Sequence, residues 1–121
     1  MDGSLNRREH LRRRSEFLKV QRQGVRIKER YVTLFILPND LDVSRLGIIA
    51  TRRLGGSIRR NRSKRLVREI FRLNKSRPGF DIVVMPRPGF LDASFSTLKV
   101  NYQAALKRHE QTNHQALVKS Y

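Results

Sequence analysis

Residues 59–72 read RRNRSKRLVREIFR, and side chains suited to phosphate recur there at helical spacing. Asn61, Arg65, Arg68 and Arg72 stand at i, i+4, i+7 and i+11, with Arg62 and Lys64 beside them. A guanidinium offers a planar fork that matches two phosphate oxygens at once. Solvated helix faces usually mix signs, because acid–base pairs one turn apart support a helix and like pairs weaken it. Here only Glu69 interrupts the cations. Several like charges within one Debye length carry a free-energy cost that a polyanion reverses. The spacing therefore favours nucleic-acid binding over a merely solubilising face.

No comparable pattern supports hydrolysis by the chain itself. A protein phosphodiesterase needs a metal held by clustered carboxylates, or a histidine pair with a cation. The acids are scattered, and the close pair Asp40 and Asp42 reads as turn chemistry after Pro38. His10, His109 and His114 have no partner pattern and read as surface residues. Gly55-Gly56-Ser57 lacks the ending of a phosphate-binding P-loop and reads as a loop with a helix cap.

The whole composition agrees with a polyanionic partner. The 121 residues carry 27 Lys+Arg against 10 Asp+Glu, a net charge of +17. Nine of those cations lie in residues 52–72, against Glu69 alone. With 38% apolar residues and six Phe, a single folded domain is expected. There is no cysteine, which suits a reducing, cytoplasmic setting. The basic N-terminus has no apolar run behind it, so no secretory signal is expected, and no apolar run is long enough to span a bilayer.

The elements that must hold the cations can be read from pattern. A short helix is expected over 15–24, capped by Ser15 and ended by a left-handed Gly24. Strands are expected over 31–37 and 45–51, paired as a hairpin with an irregular loop. A long helix follows over 58–74, with Leu66, Val67 and Ile70 on the face opposite the cations and Phe71 and Leu73 at its edges. An apolar inner strand over 81–85 and a last helix, capped by Asp92 or Ser94, complete an α+β single-domain sandwich. Its order is helix, strands, basic helix, strand, helix. The domain runs over 15–109, between a basic, flexible arm at 1–14 and a polar tail at 110–121. Arg7-Arg8 and Arg12-Arg13-Arg14 in that arm read either as a solubilising tail or as RNA-binding residues.

Residues 60–72 resemble the "RNR" signature of the bacterial ribonuclease P protein subunit. The likeness extends to Phe17-Leu18-Lys19-Val20 with Gly24, to Gly47-Ile48-Ile49-Ala50-Thr51-Arg52-Arg53 and to Asp81-Ile82-Val83-Val84-Met85, in the same order. It implies a non-catalytic protein subunit of an endoribonuclease whose RNA removes the 5′ leader from precursor tRNA. The magnesium ions of that chemistry belong to the RNA, and the protein alone holds no cofactor. The resemblance also implies a left-handed βαβ crossover around the basic helix. Arg52, Arg53, Arg60, Asn61, Arg62, Lys64, Arg65 and Arg68 would contact the catalytic RNA, with Arg72 completing the stripe. A cleft between the first helix and the sheet would take the leader, with Phe17 and Phe35 on its walls and Gln21 where the family often has a second aromatic. Pattern alone would assign Phe17 to the core. The alternative function is a ribosomal or other structural RNA-binding protein. Membrane binding fits poorly, since the apolar face of the basic helix is needed for the core.

Overall fold

The computed structural model describes residues 5–75 and 78–119. Four strands, β1 (Val25–Lys28), β2 (Val32–Pro38), β3 (Arg45–Ile48) and β4 (Phe80–Pro86), form one sheet in the order β1-β2-β4-β3. β1, β2 and β4 are antiparallel neighbours, whereas β3 and β4 run parallel. Helix α1 (Arg14–Gln23) precedes the sheet, α2 (Ser57–Leu73) links β3 to β4, and α3 (Phe95–Lys119) follows.

The strand order corrects the hairpin expected over 31–51. β4 enters between β2 and β3 because Ile82, Val83 and Val84 are all buried, so this strand needs a covered face on both sides and a partner on both edges. The 39–44 loop is tied to β4 instead: the Asn39 amide donates to Asp81 at 2.8 Å, and the Phe80 N–H donates to the Ser44 hydroxyl at 3.1 Å. β1 was not legible as a separate strand. It is four residues long, and only Ile27 is fully buried.

Alternation along β2 and β4 feeds two cores. Leu34, Ile36, Ile82 and Val84 face α2 and α3, where they meet Val67, Ile70, Phe71, Leu98 and Tyr102. Phe35 and Val83 face the other way, towards Val20 of α1 and Leu11. α1 and the α2–α3 pair therefore lie on opposite faces of one sheet.

Both expected ends of α1 are corrected. Ser15 lies inside the helix, and the carboxylate of Glu16 accepts the N–H groups of Arg12 and Arg13 at 2.9 Å each. The carboxylate reaches back to the N–H of the N-cap residue and of the residue before it, which is the acidic half of a capping box. Gly24 is extended rather than left-handed (φ −77°), and the position needs glycine for space. A Cβ there would stand 2.5 Å from the Val20 carbonyl oxygen and 3.0 Å from that of Ile36.

Residues 5–11, expected within a flexible arm, are docked. Asn6 caps a 3-10 turn over Arg7–Glu9, and the Leu11 N–H donates to the Leu46 carbonyl at 2.9 Å on the open side of β3. Glu9 is buried against Lys75. Burial alone would raise its carboxyl, but hydrogen bonds from Lys75 and from the Asn6 N–H hold it below the usual carboxylate range. Ser94 caps α3 as expected, accepting the Thr97 N–H. His109 is no surface residue: it is buried edge-on against Phe80, with ring centroids 5.5 Å apart. His114 lies among residues whose side chains are not described.

Candidate nucleic-acid interface

α2 begins after a backbone conformation open to glycine. Gly55 has φ 117° and ψ −158°, a combination closed to residues with a Cβ. The Arg59 side chain lies across it and donates from Nε to the Leu54 carbonyl at 2.8 Å. Gly56 stands at the N-cap without a side-chain cap bond. The helix then presents two faces. Ser63, Val67, Ile70 and Phe71 are buried, whereas Asn61, Arg62, Arg65 and Arg68 are exposed. Leu66 is only half-buried, and Leu73 is exposed, so the core face is narrower than the pattern suggested.

The cations of the stripe are not equivalent. Arg72 is half-buried and pairs with Glu69, which holds its guanidinium above its ordinary value. Arg62, Lys64, Arg65 and Arg68 have no acidic partner among the described residues. Arg60 starts on the core side of the first turn, half-buried, and its Nε is closed to solvent without a hydrogen-bond partner. Ile58, at 84% exposed, sits one turn before Arg62 on the same face and was not singled out by sequence reasoning.

The remaining candidates gather on the α1 face of the sheet. This face opens into a cleft of about 570 Å³, lined by Arg26, Lys28, Thr33, Met85 and Arg87 with Thr51, Arg52 and Arg53, and by none of Phe17, Gln21 and Phe35. Arg52 and Arg53 thus line the cleft and do not extend the α2 stripe. Sequence reasoning missed Arg26, Lys28 and Arg87. Two belong to the unrecognised β1, and the third follows β4 in a turn fixed by its bond to the Glu29 carbonyl.

Phe17 and Phe35 come together in a core cluster and do not line the cleft: Phe35 is buried with Val83, and Phe17 packs against them. The Phe17 ring rests on β3 at Gly47, where a Cβ would stand 2.5 Å from it. On its other side it borders a hollow of about 150 Å³ shared with His10, Lys64 and Arg68. Gln21 follows one helical turn later, half-buried. Phe17 is therefore partly core and partly surface.

A charged lock seats α1 at the far end of this face. Arg45 donates to both carboxylate oxygens of Asp81, at 2.8 and 2.7 Å, and to Glu16 at 3.1 Å. The bond to Asp81 raises the guanidinium, and the N–H groups of Arg13 and Arg12 lower the Glu16 carboxyl. These acids are spent on structure. Asp42 pairs with Arg8, and among the described residues no three His, Asp or Glu side chains converge as metal ligands.

The comparisons with known proteins agree with this geometry. The sequence pattern of the family described as Ribonuclease P matches residues 5–110. The chain is similar to the "Ribonuclease P protein component" of Thermotoga sp. (strain RQ2), 43% identical over 116 residues that span 91% of this chain and 99% of the relative. Its counterpart in Clostridioides difficile (strain 630) is 38% identical, over 85% of this chain and 93% of that one. Among solved structures, the RNase P protein of Thermotoga maritima superposes with a TM-score of 0.75 at 42% identity, over 83% and 96% of the two chains.

Proposed function

Because the chain belongs to the family of ribonuclease P protein components, we propose that it binds the enzyme's catalytic RNA through α2 and the 5′ leader of precursor tRNA through the cleft. The observation that carries this reading is the pairing of two unrelieved cationic surfaces on one rigid sheet. Asn61, Arg62, Lys64, Arg65 and Arg68 offer a convex helix face, which suits the backbone of folded RNA. Arg26, Lys28, Arg52, Arg53 and Arg87 surround a concave, partly apolar cleft, which suits an unpaired strand. Arg72, already paired, contributes less. The exposed methyl groups of Ile58 would meet ribose or base edges between phosphate contacts.

The protein is a positioning subunit in this proposal. Among the described residues no three His, Asp or Glu side chains converge as metal ligands, and Asp81 and Glu16 are held in an ion pair and a cap, which supports leaving the metal and the phosphodiester chemistry to the RNA. Among the described residues no helix is long and apolar enough to cross a membrane. The apolar face of α2 is closed by the core, which leaves no amphipathic surface there for lipid.

Reconstitution tests the proposal. Added to a ribonuclease P RNA at a magnesium concentration too low for the RNA alone, the chain is expected to restore cleavage of precursor tRNA at the mature 5′ end. Without the RNA it is expected to leave the precursor intact. Cleavage by RNA-free protein of constant specific activity would contradict the division of roles.

A further inference from the structure

The arginine cluster ahead of α1 is not absorbed by either surface. Arg12, Arg13 and Arg14 are exposed, as are Lys19 and Arg22 on the outer side of the same helix. No acid pairs with these five cations among the described residues. Glu16, the acid nearest in sequence, turns inward to Arg45 and to the two backbone N–H groups it caps. The result is a helix back of one sign, relieved only where the charge of Arg13 reaches Glu16, a costly arrangement unless a polyanion covers it.

Its position selects among polyanions. α1 packs on the sheet face opposite α2, and the α2 stripe meets it at β3, where Lys64 and Arg68 share a hollow with Phe17; Lys19 and Arg22 are exposed and do not line that hollow. The cleft is continuous with the back of α1. Lys28 and Arg26 line the cleft along edge strand β1, and only Gln23, Gly24 and Val25 separate Arg26 from Arg22. Gly24 permits that tight passage by packing on the Val20 and Ile36 carbonyls. The cations thus run from the cleft, over the sheet edge and onto the helix.

We infer that the back of α1 is a phosphate track for the upstream part of the leader, the single strand that continues out of the cleft. This rests on the leader reading of the cleft and extends it. The track carries no aromatic side chain, so it holds the strand by phosphates and is indifferent to sequence.

The test uses the holoenzyme reconstituted with catalytic RNA and precursor tRNAs whose leaders are about 4 and about 16 nucleotides long, the range of single-strand sites in small binding domains. The wild type is expected to bind the long leader more tightly than the short one. The double variant Lys19→Gln, Arg22→Gln is expected to lose most of that gain while holding the short-leader precursor as before. Its log–log salt slope on the long leader should be shallower by about 0.7 for each lost contact. Far-ultraviolet circular dichroism and a melting curve establish that the variant is folded. Equal weakening on both leaders, no weakening on either, or a wild type indifferent to leader length would each overturn the track. Loss of preference for even the short-leader precursor over mature tRNA in the wild type would instead overturn the leader reading beneath it.

Discussion

Ile70→Ala is expected to lower the stability of the fold by about 2–5 kcal/mol, the usual cost of emptying a well-packed aliphatic site. Ile70 is 2% exposed and belongs to the core shared by β2, β4, α2 and α3. Its loss leaves a cavity that the sheet cannot close without moving α2. Denaturant unfolding measures the loss directly, and RNA affinity should fall only in step with the unfolded fraction. Leu66, which pattern placed on the same face, is half-buried, so its truncation to alanine should cost clearly less. Equal losses at the two positions would mean that α2 is rotated about its axis from the position described.

Replacing Arg65 and Arg68 by alanine should have the opposite signature. Both are exposed and lack acidic partners among the described residues, so removing them relieves repulsion and leaves the core intact. Affinity for the catalytic RNA should fall about 10- to 100-fold for each arginine, since a hydrogen bond to a charged group contributes about 1.5–3 kcal/mol. The log–log salt slope should become shallower by about 0.7–0.9 per arginine, one counterion-releasing contact each. Filter binding across a salt series reads both quantities. Normal affinity in a folded double variant would remove the stripe from the interface. Arg72→Ala should matter less than either, because Glu69 already holds that guanidinium.

These two outcomes also mark what was readable from the chain. The two faces of α2 were legible because charge and apolarity separate cleanly at 3.6-residue spacing over 17 residues. β4 was legible as an inner strand because its residues are apolar on both faces. Strand order was not legible. Neighbours in sequence suggest a hairpin, and nothing local to 31–51 reports that β4, thirty residues further on, takes the place between. The cleft was legible only at Arg52 and Arg53. Phe17 and Phe35, which the resemblance put on its walls, pack in the core beneath α1, and Arg26 and Lys28 sit on a four-residue edge strand too short for a periodic signal. Arg52 and Arg53 appeared to prolong the basic run, and only the break at Gly55 shows that they turn into the cleft. The caps failed for a different reason. Ser15 as a cap would take N–H groups inside the first turn, whereas Glu16 reaches back to those of Arg12 and Arg13, and the helix begins at Arg14, ahead of Ser15.

The proposed role, holding the leader of precursor tRNA for a catalytic RNA, predicts a difference between two substrates. The direct measurement is a pair of dissociation constants, for precursor and for mature tRNA, taken with the catalytic RNA alone and again with the protein bound. The protein should tighten binding of the precursor and leave the mature tRNA unchanged, so the ratio of the two constants moves away from its RNA-only value. An equal effect on both tRNAs, or none on either, would contradict the account and leave a structural RNA-binding protein in its place.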